Sequence, residues 1–159
     1  MFLRIETIQP KKLIGFSTPT TLADDKTVSI WKQLMPRLKE IKNAVSADLI
    51  SLQVYDFESL QDFTPFTEFT KHALVEVKNF DYVPEGFETF ELPAGEYAVF
   101  LHKGIPADFA ITSQYIFGEW MPASNYNVDN RPHFEILGDL YINNHPDSQE
   151  EVWIPIKNR

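Results

Sequence analysis

Cysteine is absent from the 159 residues, which removes disulfides, thiolate nucleophiles and zinc–thiolate sites together. Basic residues are scarce, with 14 Lys and Arg against 23 Asp and Glu and a net charge of −9. Such a chain lacks the cationic stripe that neutralises phosphates, so neither nucleic acid nor an anionic membrane is an expected partner. A cationic or neutral partner suits its field better. No apolar run approaches the ~20 residues that a membrane span requires. The start, "MFLRIETIQPKK", lacks the apolar core of a signal peptide, and a cytoplasmic location is expected. Neither a Gly-rich phosphate loop nor a G-x-S-x-G elbow occurs, and no cofactor is expected. His72, His102 and His145 are scattered without metal-ligand spacing, so no metal site is expected.

Aromatic residues, by contrast, are abundant: 13 Phe, 6 Tyr and 3 Trp, within a hydrophobic share of 43%. A chain of this length makes one domain and buries roughly two-thirds of its unfolded surface. Period-two alternation marks "LRIETIQ" and "KLIGFST", joined around Pro10, as strands. Asp24, Asp25 and Thr27 are candidate caps for a helix whose inward face is Trp31, Leu34, Met35, Leu38, Ile41 and Val45. Pro36 predicts a kink within it. "DLISLQVYD" and "HALVEVKNF" read as strands, separated by an aromatic loop over residues 57–71.

The second half repeats this order. "GEYAVFLHKG" is a strand, and a helix begins at Pro106 with Phe109, Ile116, Phe117 and Trp120 facing inward. "PHFEILGDL" and "EVWIPIKNR" are strands around a polar loop, "YINNHPDSQE". Short strings recur in register: "WKQLMP" with "FGEWMP", "LQVYD" with "EILGD", and "VEVKN" with "WIPIKN". Their common order points to an internal duplication, with units at about 1–80 and about 87–159. The expected fold class is α+β: duplicated β-α-β-β units in a mainly antiparallel sheet. Two helices cannot cover both faces of such a sheet, so they are expected on one face with a groove on the other. Alternation then puts Gln53 and Tyr55, and His133, Glu135 and Leu137, on the groove face. Val152, Ile154 and Ile156 form the core side of the last strand, which turns Trp153 toward the groove.

These residues resemble the GyrI-like family, the small-molecule-binding domain also found as the effector-binding domain of AraC-type and multidrug-responsive bacterial regulators. The resemblance rests on "W-x-P-x-S-x-Y" (Trp120, Pro122, Ser124, Tyr126), "P-x-F-E" (Pro132, Phe134, Glu135) and "WIPIK" (Trp153 to Lys157). The "YAVFLHKG" strand and the "VYD" of the first half also match, so the likeness covers nearly the whole chain. It implies a SOUL-like duplicated fold with a curved sheet of about eight strands and a ligand groove at its pseudo-two-fold axis. It also implies that Glu135 is the buried anion of that groove, with Trp120 contributing to its wall. One position departs from the pattern: two residues after the Glu, where the family often has an aromatic residue, stands Leu137.

Three functions follow from the resemblance. The first is a binding module acting alone, for sensing or sequestration of an aromatic or cationic small molecule. Glu135 would be the counter-ion, with Tyr55, Trp153 and Trp120 as walls, and Gln53, His133 and Leu137 beside them. One carboxylate among aromatic rings suits a flat cation through charge pairing and cation–π contact. The second is a hydrolase of strained or electrophilic compounds that uses Glu135 as base. The third is a gyrase-type inhibitor acting on a protein partner through an acidic surface.

Overall fold

Alternating side chains make the strands β1 (Phe2–Ile8), β2 (Lys11–Thr20), β3 (Leu49–Val54) and β4 (Phe69–Val77). They are followed by β5 (Glu88–Leu92), β6 (Gly95–Lys103), β7 (Tyr126–Val128), β8 (His133–Leu137) and β9 (Gln149–Asn158). The structure is a computed structural model that describes residues 1–56 and 62–159; the loop expected over 57–71 therefore lies partly outside the described residues. Its later part ends earlier than expected, because β4 already begins at Phe69.

The first helix, α1 (Thr27–Leu34), starts where the Asp25 carboxylate accepts the Thr27 backbone N–H at 2.9 Å. It tightens into a 3-10 segment, Met35–Glu40, at Pro36, which has no N–H to continue the α-helical ladder. The tighter winding takes Met35 off the inward face, and Val45 falls beyond the helix; both are about half exposed, at 48% and 50%. Ile30, Leu34, Trp31, Leu38 and Ile41 pack inward. The second helical run opens with a 3-10 turn at Pro106–Asp108 and continues as α2 (Phe109–Gln114). A π-helical segment, Tyr115–Trp120, and a last turn, α3 (Met121–Ala123), complete it. Its Ile116 is fully buried, with Phe109, Phe117 and Trp120 packed around the same cluster.

Among the described residues the strands form one nine-stranded sheet in the order β1-β6-β9-β8-β3-β4-β2-β5, with β7 paired to the end of β9, and the pairings are antiparallel. This order reads alike outward from the central β8–β3 pair. Each side runs through the last strand of a unit, the strand before its helix, and an edge strand. β1 and β2, consecutive around Pro10, lie in opposite halves of the sheet. β1 pairs with β6 of the second half, and β5 crosses to β2 of the first.

Two apolar clusters lie under the helices. One joins Ile14, Phe16, Ala73, Val75 and Val77 to α1, and the other joins Ala98, Phe100, Val152, Ile154 and Ile156 to the second helical run. A third cluster fills the helix-free face with Leu13, Leu52, Leu74, Leu92, Tyr97, Phe134 and Trp153, drawn from β2, β3, β4, β5, β6, β8 and β9. Among the described residues no helix contributes to this cluster, yet Leu13, Leu52, Leu92 and Tyr97 are wholly inaccessible. The curved sheet closes this face on itself, and the open ground is left on the side of the helices. Among the described residues no helix is long and apolar enough to cross a membrane.

Candidate functional site

Between the two helices the sheet is uncovered. α1 packs over β2 and β4, with Leu49 at the start of β3 against the same cluster, and the second helical run packs over β6 and β9; among the described residues no helix packs over the rest of β3 or over β8. A cavity of about 1150 Å³ occupies the space. Ser51 and Gln53 from β3, Tyr55 just beyond its end, and His133, Glu135 and Leu137 from β8 form its floor. Trp31 and Met35 stand on one wall, Phe109, Ile116 and Phe117 on the other, and Tyr141 and Ile142 at the rim.

The cavity thus lies on the helix-bearing face, not on the face opposite. The alternation in β3 and β8 has the expected phase, but its apolar side faces away from the helices. Phe134 and Ile136, with Ile50 and Leu52, belong to the self-closed core rather than to the underside of a helix. Five of the residues expected at the site, Gln53, Tyr55, His133, Glu135 and Leu137, therefore meet in one cavity. Two do not. Trp153 is 4% exposed on the far face, stacked on Phe134 at 5.3 Å and edge-on to Tyr97 at 6.0 Å. Trp120 stacks on Phe2 at 4.9 Å and meets Phe100 edge-on, on the side of its helical run away from the cavity. Both are large rings, and bulk alone does not tell a core ring from a wall ring.

Register fixes how the floor is laid out. Glu135 on β8 lies opposite Ser51 on β3 and Val152 on β9, and His133 lies opposite Gln53, which in turn faces Lys71 on β4. The Gln53 side-chain amide donates to Glu135 Oε2 at 3.1 Å, which orients the carboxylate while leaving acceptor capacity toward the cavity. Rings surround it. Tyr55 is edge-on to His133 at 4.9 Å and tilted to Phe69 at 5.3 Å, and Phe117 lies 6.4 Å from His133 on the other side. Burial, with the Glu135 charge added, raises the Tyr55 hydroxyl far above its usual range, so it stays protonated. Burial and then nearby Arg131 push His133 down to about 3, so its ring is uncharged at ordinary pH.

Sequence reasoning missed two charged residues of the floor, Lys71 on β4 and Glu150 on β9. In the sequence Glu150 stands at the end of the polar loop "YINNHPDSQE". Extending the Val152, Ile154, Ile156 alternation backward by one step would have found it, because all four share the helix-side face. Lys71 alternates in the same way with Ala73 and Val75. Burial first, and then the charge of Glu135, pushes Glu150 up to about 7, an effect that Lys71 partly offsets.

Comparison with known proteins identifies the fold and the family. A model of the GyrI-like small molecule binding domain matches residues 1–157. The chain is 28% identical over 145 residues to the transcriptional regulator BrlR of Pseudomonas aeruginosa; the match covers 91% of this chain and 51% of that protein. The chain thus spans about half the length of that relative. Among solved structures, SAV2435 bound to tetraphenylphosphonium superposes with a TM-score of 0.72 at 15% identity, covering 99% of this chain and 94% of the other. A hydrolase encoded by lin2189 from Listeria innocua superposes with a TM-score of 0.60 at 10% identity, covering 97% and 91%. At such identities the structural likeness carries the fold alone, whereas the family match spans nearly every residue. The chain belongs to the GyrI-like small-molecule-binding domain family.

Proposed function

We propose that the cavity between the helices holds an aromatic or lipophilic cation, with Glu135 as its counter-ion, in the service of sensing or sequestration. The observation that carries this reading is the position of Glu135: a carboxylate in the middle of the floor, held by one neutral amide and walled by Trp31, Tyr55, Phe69 and Phe117. A cation entering there gains charge pairing with Glu135 and cation–π contact with the walls. The volume of about 1150 Å³ accommodates a bulky drug-sized molecule. The net charge of −9 favours cation approach. The related fold of SAV2435, solved with tetraphenylphosphonium, supports the same ligand class.

Tryptophan fluorescence tests the proposal and its location together. Trp31 lines the cavity, while Trp120 and Trp153 do not. Tetraphenylphosphonium is expected to quench the emission, Trp31→Phe to remove most of that quenching, and Trp153→Phe to retain it. Emission from the wild type that does not respond at saturating ligand, with no heat of binding by calorimetry, would remove the cation reading.

A further inference from the structure

Glu150 is the second carboxylate of the floor. Glu135 pairs directly with Val152, and Glu150 lies two residues before Val152 on the same face of β9. That makes Glu150 and Glu135 diagonal neighbours across adjacent strands, with backbones roughly 7–8 Å apart. Side chains of this length reach a common point from such a separation. We propose that Glu150 is a second anionic contact for the ligand, facing the same bound cation as Glu135, so that the cavity exchanges a proton for a cation. The inference rests on the cation reading above and deepens it.

Every charged or titratable group turned toward Glu150 bears on this exchange. Glu135 on β8 repels its negative charge, and Lys71 on β4 attracts it. His133 on β8 is uncharged, and Tyr55 and Tyr141 are phenols raised by burial. His102 on β6 lies directly opposite Glu150, but its ring nitrogens are engaged by the Thr112 hydroxyl at 2.7 Å and the Ile105 carbonyl at 3.4 Å. Asp25 and Lys32 belong to the α1 side of the opening and are exposed. The second helical run contributes Phe109, Ser113, Ile116 and Phe117, none of them charged.

Burial first, and then the charge of Glu135, hold Glu150 up at about 7, so without a cation beside it the carboxyl is partly protonated at neutral pH. A cation set between the two carboxylates cancels their repulsion and stabilises the ionised form. By linkage, the ligand binds the deprotonated protein more tightly, so affinity rises as pH climbs through about 7 and levels off above it. A carboxylate already ionised at pH 5 would contribute no such slope.

The test is calorimetric titration of tetraphenylphosphonium between pH 6 and pH 8 for the wild type and Glu150→Gln. The wild type is expected to bind about five- to tenfold more tightly at pH 8 than at pH 6. Glu150→Gln is expected to vary within about twofold across the range and to match the wild type within about threefold at pH 6. Proton release on binding, read from the dependence of the heat on buffer ionisation enthalpy, should vanish in the variant. Binding with no pH slope overturns the inference while leaving the cation reading intact. A slope that survives in Glu150→Gln belongs to another group and also overturns it. Absence of binding at every pH overturns both.

Discussion

Glu135→Gln is expected to weaken tetraphenylphosphonium binding by tenfold to a hundredfold while leaving thermal stability nearly unchanged. The substitution keeps the shape of the side chain and its capacity to accept the Gln53 amide, and it removes the charge alone. A unit cation about 5 Å from the carboxylate, at an effective dielectric near 20, gains about 3 kcal/mol. Stripping water from both partners reduces that gain, so about 1.4 to 2.8 kcal/mol remains, which corresponds to the stated range. Stability holds because, among the described residues, Glu135 bonds to the neutral Gln53 side chain on the neighbouring strand and enters none of the ion pairs. Isothermal titration calorimetry reads the loss directly, and equal affinities for the two proteins would show that the cation is seated elsewhere.

The opposite pattern is expected for Gly15→Ala. Gly15 sits inside β2 opposite Leu74 of β4, and a Cβ there would come within 1.9 Å of the Ala73 carbonyl oxygen and 3.0 Å of Leu74 Cα. Both obstacles are backbone, so no rotamer change relieves them and the two strands must part. β2 carries α1 through Ile14 and Phe16, which spreads the damage into the cluster beneath that helix. We expect a loss of about 3 kcal/mol, at the upper end for overpacking, and a melting temperature lower by roughly 6–12 °C. Chemical denaturation with an unchanged slope would measure it, and a loss under about 1 kcal/mol would mean that β2 and β4 adjust more freely than their contact implies. Protein that remains folded should bind ligand normally, because Gly15 does not line the cavity.

Much of this molecule was legible in the residues, for identifiable reasons. Strands with strict alternation, such as Leu49–Val54 and His133–Leu137, announced both their existence and the phase of their faces. Two elements went unread: Glu88–Leu92, only five residues long, and Tyr126–Val128, only three, too short for a period to register. The side of the sheet that holds the cavity was not legible either. Alternation divides a strand into two faces without saying which one a helix will cover. Here curvature closed the Phe134 and Trp153 face upon itself, and the helices parted over the other. That one undetermined choice misplaced Trp153, while Gln53, Tyr55, His133, Glu135 and Leu137 stayed together because they share a face whichever way it points. Glu150 was hidden by proximity to a polar loop, although its spacing from Val152 was in plain view.

The central claim, that a cation sits on the helix side of the sheet against Glu135, is tested most directly by a crystal structure grown with tetraphenylphosphonium. The expected result is ligand density over β3 and β8, between Trp31 and Phe117, with the phosphonium nearest the Glu135 carboxylate. Ligand on the Trp153 face, or at the surface beyond reach of Glu135, would contradict it.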